Sequence, residues 1–177
     1  PLRPHIPHYS PQHLIASFTP RVQVALTDAT FKTASWDWVQ DTATATTKWH
    51  AIGDWDVSGV ADMSHAFSQH RNAAGGSYVL DGNSANIASF TGGGLDLWIM
   101  SSLTTLDSTF MGASEMNVDF GSWDVTQVST MTQTFRNAAK FEGEGLSTWN
   151  VAAVTSMTDT FTDATALTSC NKRKIVD

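Results

Sequence analysis

Trp55, Trp98, Trp123 and Trp149 head four copies of one apolar pattern, and no other feature constrains this chain as tightly. Each has a valine or methionine two positions on: Val57, Met100, Val125, Val151. Aliphatic residues follow at the fifth position (Val60, Leu103, Val128, Val154) and the eighth (Met63, Leu106, Met131, Met157). Phenylalanine closes each copy at the twelfth position (Phe67, Phe110, Phe135, Phe161). Another apolar residue stands three positions before each indole: Ile52, Leu95, Phe120, Leu146. Such self-similarity marks an array in which no unit buries its apolar side alone, so neighbouring copies must supply the missing walls.

The spacing predicts what each copy does. The indole and the residue two positions on alternate as an inward-facing strand requires. The fifth, eighth and twelfth positions follow i, i+3, i+7, one stripe of a short helix or 3-10 segment. Ser58, Ser101 and Thr126, three positions after their indoles, are suited to cap that turn. The expected architecture is a right-handed solenoid of about five coils, with short parallel β-strands alternating with short helical or 3-10 turns and strands stacked about 4.8 Å apart. The residues flanking each indole then face outward. They form a ladder of Asp54, Leu97, Ser122 and Thr148 beside Asp56, Ile99, Asp124 and Asn150.

Residues 1–20 hold all five prolines, which fix φ and remove backbone donors, so an extended Pro-rich arm is expected there. Residues 21–168 read as one domain. Its first coil, 21–51, is degenerate: Phe31 and Trp36-Asp37-Trp38 echo the repeat, but the Thr/Ala stretch after them lacks the later aliphatics. The indole spacings of 43, 25 and 26 residues place an inserted loop at about 69–86, which includes Ala73-Ala74-Gly75-Gly76 and Asp81-Gly82-Asn83. Residues 169–177 form a tail whose basic cluster is Lys172-Arg173-Lys174. A chain with no initiator Met and no signal-peptide pattern reads as a processed form or a fragment.

Formal net charge is −7, and residues 22–169 carry five Lys or Arg against sixteen Asp or Glu. Such a surface repels phosphate backbones, so nucleic acid is not the expected partner. No apolar run reaches the roughly 18–20 residues that span a bilayer, which leaves at most a membrane-peripheral position. The one cysteine, Cys170, excludes an internal disulfide. No Asn-x-Ser/Thr triplet occurs, which disfavours a glycosylated secreted protein.

Candidate chemistry is thin. Asp54 and Asp56, two apart on the expected strand, would lie roughly 6–7 Å apart on one face, tolerable for a glycosidase pair. Nothing supplies a cleft around them. Calcium needs six to eight oxygens, and neither Asp54, Asp56 and Asp62 nor Asp119 and Asp124 form the spacing of a calcium loop. His5, His8 and His13 sit in the arm, without preorganised geometry for a metal, and His65 and His70 read as surface residues. The many threonines read as solvent-facing strand residues. No catalytic residue, metal or cofactor is therefore expected.

The segments Trp55-Asp56-Val57-Ser58-Gly59-Val60-Ala61-Asp62-Met63-Ser64 and Trp123-Asp124-Val125-Thr126-Gln127-Val128-Ser129-Thr130-Met131 resemble the W-D-V-S-x-V-x-x-M-S signature of BspA-like leucine-rich repeat proteins, known also from Mycoplasma-type lipoproteins. Phe110-x-x-Ala113-x-x-Met116-Asn117 and Phe135-x-x-Ala138-x-x-Phe141 match the linker of the same family. The chain departs from it at Ala66, Thr109, Thr134 and Thr160, where a methionine is usual, and at Ile99-Met100, where Asp-Val is usual. The resemblance implies a leucine-rich-repeat-like solenoid, found at the cell surface or secreted and associated with adhesion, with no catalytic residues to carry over.

The expected function is a non-catalytic protein-protein interaction, adhesion or scaffold module, with the outward ladder as its partner-binding face and a larger assembly as its setting. Two alternatives stand beside it. One is a peripheral structural subunit of a large assembly, such as one in an algal organelle, and the other is a carbohydrate-binding protein.

Overall fold

The computed structural model describes residues 23–73, 75–76, 84–168 and 171. The Pro-rich arm, Cys170, the basic cluster and His5, His8 and His13 lie outside the described residues. The first element, β1 (Val24–Ala25), pairs in parallel with β2 (Trp55–Asp56), Val24 opposite Trp55. Between them, residues expected to form a degenerate first coil fold instead into α1 (Asp28–Gln40) and α2 (Thr42–Trp49).

Local capping explains that outcome. Thr27 receives the Thr30 N–H on its hydroxyl while the Thr30 hydroxyl receives the Thr27 N–H, a reciprocal box that starts α1. Asp41 accepts from the amides of Ala43 and Thr44 and starts α2, in a Thr/Ala run that needs no aliphatic stripe to be helical. Phe31 and Ala34 turn the buried face of α1 onto the repeats. The Phe31 ring meets Trp55 and Trp98 edge-on, with centroids 6.4 and 5.8 Å away. Trp38 meets Trp55 edge-on at 5.7 Å, so it packs against a repeat indole and does not substitute for one.

The expected leucine-rich-repeat-like solenoid of about five coils does not form. Among the described residues the parallel sheet is only the two-stranded β1–β2, and the other pair, β3 (Arg71–Asn72) with β4 (Gly75–Gly76), is antiparallel. A third helix, α3 (Ser84–Ala88), follows the insertion. Beyond these, parallel pairing shrinks to single bridges joining Asp62, Thr105, Thr130 and Ser156. Strands stop early because the backbone turns immediately after the second inward residue: Val60, Val128 and Val154 N–H donate to Val57, Val125 and Val151 C=O.

The expected helical turns fail for a different reason. Ten positions after each indole, His65, Ser108, Gln133 and Asp159 adopt left-handed backbone, φ 54–57°, which no α-helix tolerates. The result is a run of turns in which alternate amides take different partners. Ala66, Thr109, Thr134 and Thr160 N–H close turns within their own copy, while the amides on either side reach the next copy. His65 and Phe67 donate to Asp107 and Thr109 C=O, Ser108 and Phe110 to Thr132 and Thr134, and Gln133 and Phe135 to Thr158 and Thr160. A helix would consume every amide internally and leave none to join neighbours.

Side chains complete the joints. In the last three copies the indole N–H donates to the carbonyl three residues before the preceding indole: Trp98 to Ile52, Trp123 to Leu95, Trp149 to Phe120. Thr109, Thr134 and Thr160, expected at the surface, are buried and donate to Met63, Leu106 and Met131 C=O. These bonds account for threonine where the resembled signature carries methionine. Phe67, Phe110, Phe135 and Phe161 stack in sequence, centroids 5.6–5.8 Å apart. Between the last two linkers, Gly145 (φ 80°) leaves no room for a side chain, since a Cβ there would stand 2.1 Å from Gly121 N.

The start of the insertion is tied into the fold. Arg71, at its start, is fully buried, bonding the Ser35 hydroxyl at 2.9 Å and the carbonyls of Ala66 and Lys32. Its guanidinium ties α1 to the first repeat. Burial lowers its pKa to about 10, Asp37 opposing, so it stays charged at neutral pH.

Candidate interaction face

The outward ladder is built from positions flanking the indoles, and the fold gives its two columns different structural jobs. Before the indole, Asp54, Leu97 and Thr148 end short 3-10 helices (Ile52–Asp54, Leu95–Leu97, Leu146–Thr148), whose last turn closes when the backbone N–H of Trp55, Trp98 and Trp149 returns to Ile52, Leu95 and Leu146 C=O. Asp54 and Asp56 therefore do not share one strand: the first ends a 3-10 turn and the second lies on β2. After the indole, three of four residues hold the next turn. Asp56 accepts the Ser58 N–H at 3.0 Å, Asp124 accepts the Thr126 N–H and hydroxyl at 3.0 and 2.6 Å, and Asn150 accepts the Ala152 N–H at 3.1 Å. Hydrogen bonds from the Ser58 and Thr126 side chains, then from their amides, hold the Asp56 and Asp124 carboxyls below the usual range.

The capping expected of Ser58 and Thr126 runs the other way, since the residue at the first position accepts and they donate. Ser101 has no such acceptor before it and donates its hydroxyl to Ser58 C=O in the preceding repeat. The fourth residue of the column is Ile99. It cannot accept a bond, and it is 75% exposed beside Leu97 at 48%. Both are large apolar side chains held in water, and Leu97 lies against Gly53, where a Cβ would stand 2.9 Å from Leu97 Cδ1. Around them Ser122, Asp124, Thr148 and Asn150 are exposed, while Asp54 and Asp56 are half-buried. Ser122 and Thr148 donate to Asp96 and Gly121 C=O, so their hydroxyls also serve the joints between repeats.

Among the described residues no three His, Cys, Asp or Glu side chains are placed to hold a metal. His65, expected at the surface, is buried at a left-handed turn, and burial lowers its pKa, with Asp107 opposing. Asp62, half-buried, pairs with Lys32 at 2.9 Å and receives the Ser64 N–H and hydroxyl, so it anchors α1 to the first repeat. Burial raises its pKa, but these bonds outweigh that and leave it below the ordinary value.

Sequence reasoning missed a cleft of about 290 Å³ between α1, α2, α3 and the residues after it, lined by Trp38, Thr42, Asn86, Ser89, Phe90 and Thr91. The signal was Trp38, taken as an echo of the repeat. No helix among the described residues is long and apolar enough to cross a membrane.

Residues 31–75 and 79–174 match the family described as Mycoplasma protein of unknown function, DUF285. No curated protein and no solved structure matches the chain.

Proposed function

We propose, since the chain belongs to the DUF285 family of Mycoplasma proteins of unknown function, that it is a non-catalytic protein-interaction module of adhesion or scaffold type which docks its partner on Leu97 and Ile99. The observation that carries this reading is Ile99. Three repeats spend the same position on a side chain that holds a turn, and only the Trp98 repeat spends it on an exposed branched aliphatic. A folded domain gains nothing from such a side chain in water. Covering Ile99 and Leu97 would contribute on the order of 3 kcal/mol before the costs of association, enough for the centre of an interface but not for a whole one. With sixteen acidic against five basic residues over 22–169, the domain suits a partner with an apolar centre and a basic rim. The likeness of Trp55–Ser64 to BspA-like repeats supports a surface role.

A photoreactive amino acid at position 99 tests the reading in extract from the native source. An adduct formed from position 99 but not from position 126, and lost on Leu97→Asp, supports it. Absence of any adduct from position 99 overturns it.

A second reading, carbohydrate binding, is favoured by the Trp38–Phe90 cleft, which offers apolar ring faces beside an amide and three hydroxyls. Titration with soluble oligosaccharides, followed by tryptophan fluorescence, should then saturate in the wild type and not in Trp38→Ala. A flat titration removes this reading.

A further inference from the structure

The two edges of the repeat stack are not equivalent. At one edge β1 and α1 lie against the Trp55 repeat, and the Asp28 carboxylate accepts the Ala61 and Asp62 amides at 2.7 and 3.0 Å. At the other edge the joints between repeats stop, as far as the described residues go. In each earlier repeat, amides at the eighth, tenth and twelfth positions after the indole donate to carbonyls of the next repeat, and Gly112 and Asn137 add a fourth bond to Arg136 and Thr162 C=O. In the Trp149 repeat the equivalent amides belong to Met157, Asp159, Phe161 and Asp163, and none has an acceptor among the described residues. Two carbonyls, each bonded within its own copy, lack the partner that a following repeat supplies. Leu146 C=O lacks the indole N–H that Ile52, Leu95 and Phe120 receive, and Met157 C=O lacks the threonine hydroxyl from a following repeat that Met63, Leu106 and Met131 receive.

The apolar side of this edge is open in register with its polar groups. Val125, Val128, Met131 and Phe135 are 0–1% exposed, whereas Val151, Val154, Met157 and Phe161 are only half-buried. A groove of about 440 Å³, lined by Glu142, Gly143, Glu144, Gly145, Ser147 and Asn171, continues the edge past the indole.

We infer that this edge is a docking surface for a repeat of the same pattern supplied by a second polypeptide. The surface continues the interfaces already formed inside the chain, and its bonding pattern states what the occupant presents: four carbonyls in register, an indole N–H for Leu146 C=O, a hydroxyl for Met157 C=O and a phenylalanine for Phe161. A second copy of this chain does not meet those terms. Its own first edge is covered by β1 and α1, and two bare edges facing each other would oppose donors to donors. Nor do residues 172–174 of this chain, since Lys172 falls 26 positions after buried Leu146, in the place the pattern reserves for an apolar residue. The inference is independent of the Leu97–Ile99 face, which lies on the flank of the stack.

Hydrogen exchange by NMR on the full chain tests it, with a synthetic peptide of residues 146–168 as the probe. In the chain alone, the amides of Met157, Asp159, Phe161 and Asp163 should exchange at least about 100-fold faster than those of Met131, Gln133, Phe135 and Asn137. Adding the peptide should slow the four edge amides by on the order of tenfold or more, saturably, and a peptide carrying Trp149→Ala and Phe161→Ala should not. Edge amides already as slow as the inner set would mean that the chain covers its own edge, and would overturn the inference. A second construction handles a peptide that fails: a copy of residues 146–171 inserted after Asn171. Protection by the covalent copy alone would restrict the edge to continuation within one chain, and protection by neither would show that the edge accepts no repeat. Either result overturns the proposal.

Discussion

The Trp55 and Trp149 repeats share one apolar pattern and differ in what lies beyond them. Beyond Trp55 stand Phe31, Trp38 and the Asp28 carboxylate, and its valines and methionine are fully buried. Beyond Trp149 the described chain offers Asn171, whose side chain donates to Glu142 C=O at 2.7 Å, and the equivalent side chains stay half-buried. Identical residue types therefore carry different energies. In stacked units burial belongs to the joint and not to the repeat, so stability should fall steeply from the inner repeats to the last one.

The sharpest test is a matched pair. Phe135→Ala removes a ring sandwiched between Phe110 and Phe161 and should cost on the order of 3–5 kcal/mol in urea unfolding, as should Trp123→Ala. Phe161→Ala removes a ring covered on one side only and should cost about 1–2 kcal/mol, since less apolar area is withdrawn from water. Equal losses would break the comparison. At the covered end, Arg71→Met keeps the volume but leaves Lys32 and Ala66 carbonyls and the Ser35 hydroxyl without their donor. It should cost roughly 2–4 kcal/mol and release α1 first, seen as loss of amide protection in α1 before the inner repeats.

How much of this was legible follows from the same contrast. The inward slots were readable because periodic apolar residues report burial whatever backbone carries them: Trp55, Trp98, Trp123 and Trp149 are all buried. The backbone itself was not readable from that stripe. Spacing of i, i+3, i+7 fits a helix and a run of turns equally, and only the left-handed residues at His65, Ser108, Gln133 and Asp159 separate them. None of these is glycine, so the usual marker was missing. The helices at 28–49 were hidden because Trp36 and Trp38 imitated the repeat while the deciding signals were small, a Thr27–Thr30 box and an Asp41 cap. Of the candidate face, alternation gave outward positions that are exposed at Leu97, Ile99, Ser122, Asp124, Thr148 and Asn150 but only half-exposed at Asp54 and Asp56. That Asp56, Asp124 and Asn150 hold turns while Ile99 does not required the hydrogen bonds.

A smaller effect separates the interior of the first repeat from its rim through pH. Burial holds the His65 imidazole below its ordinary pKa, so the folded chain binds fewer protons than the unfolded one between the two values. Stability contributed by neutral His65 is present in full above about 6.5 and declines as pH falls from there toward the folded-state pKa. His65→Asn removes the titration, and asparagine tolerates the left-handed backbone at φ 57°. Thermal unfolding of this variant between about pH 7 and pH 5.5 should show a shallower loss of stability than the wild type.

The smallest expected change bears most directly on function. Asp124→Ala deletes an exposed turn bond and should cost no more than about 1 kcal/mol. Ile99→Asp goes the other way, because it installs at the Trp98 repeat the acceptor that its neighbours already carry, facing the Ser101 N–H. Stability should then be unchanged within about 0.5 kcal/mol, or slightly raised, even though a charge replaces a branched aliphatic. If folding alone had chosen the residue at 99, aspartate would serve as well as isoleucine. Unfolding midpoints that fall by several degrees in Ile99→Asp would mean that Ile99 stabilises the fold, and the argument for a partner at that face would lose its foundation. Midpoints that hold, together with loss of the position-99 adduct in Leu97→Asp, would leave binding as the reason an isoleucine stands in water there.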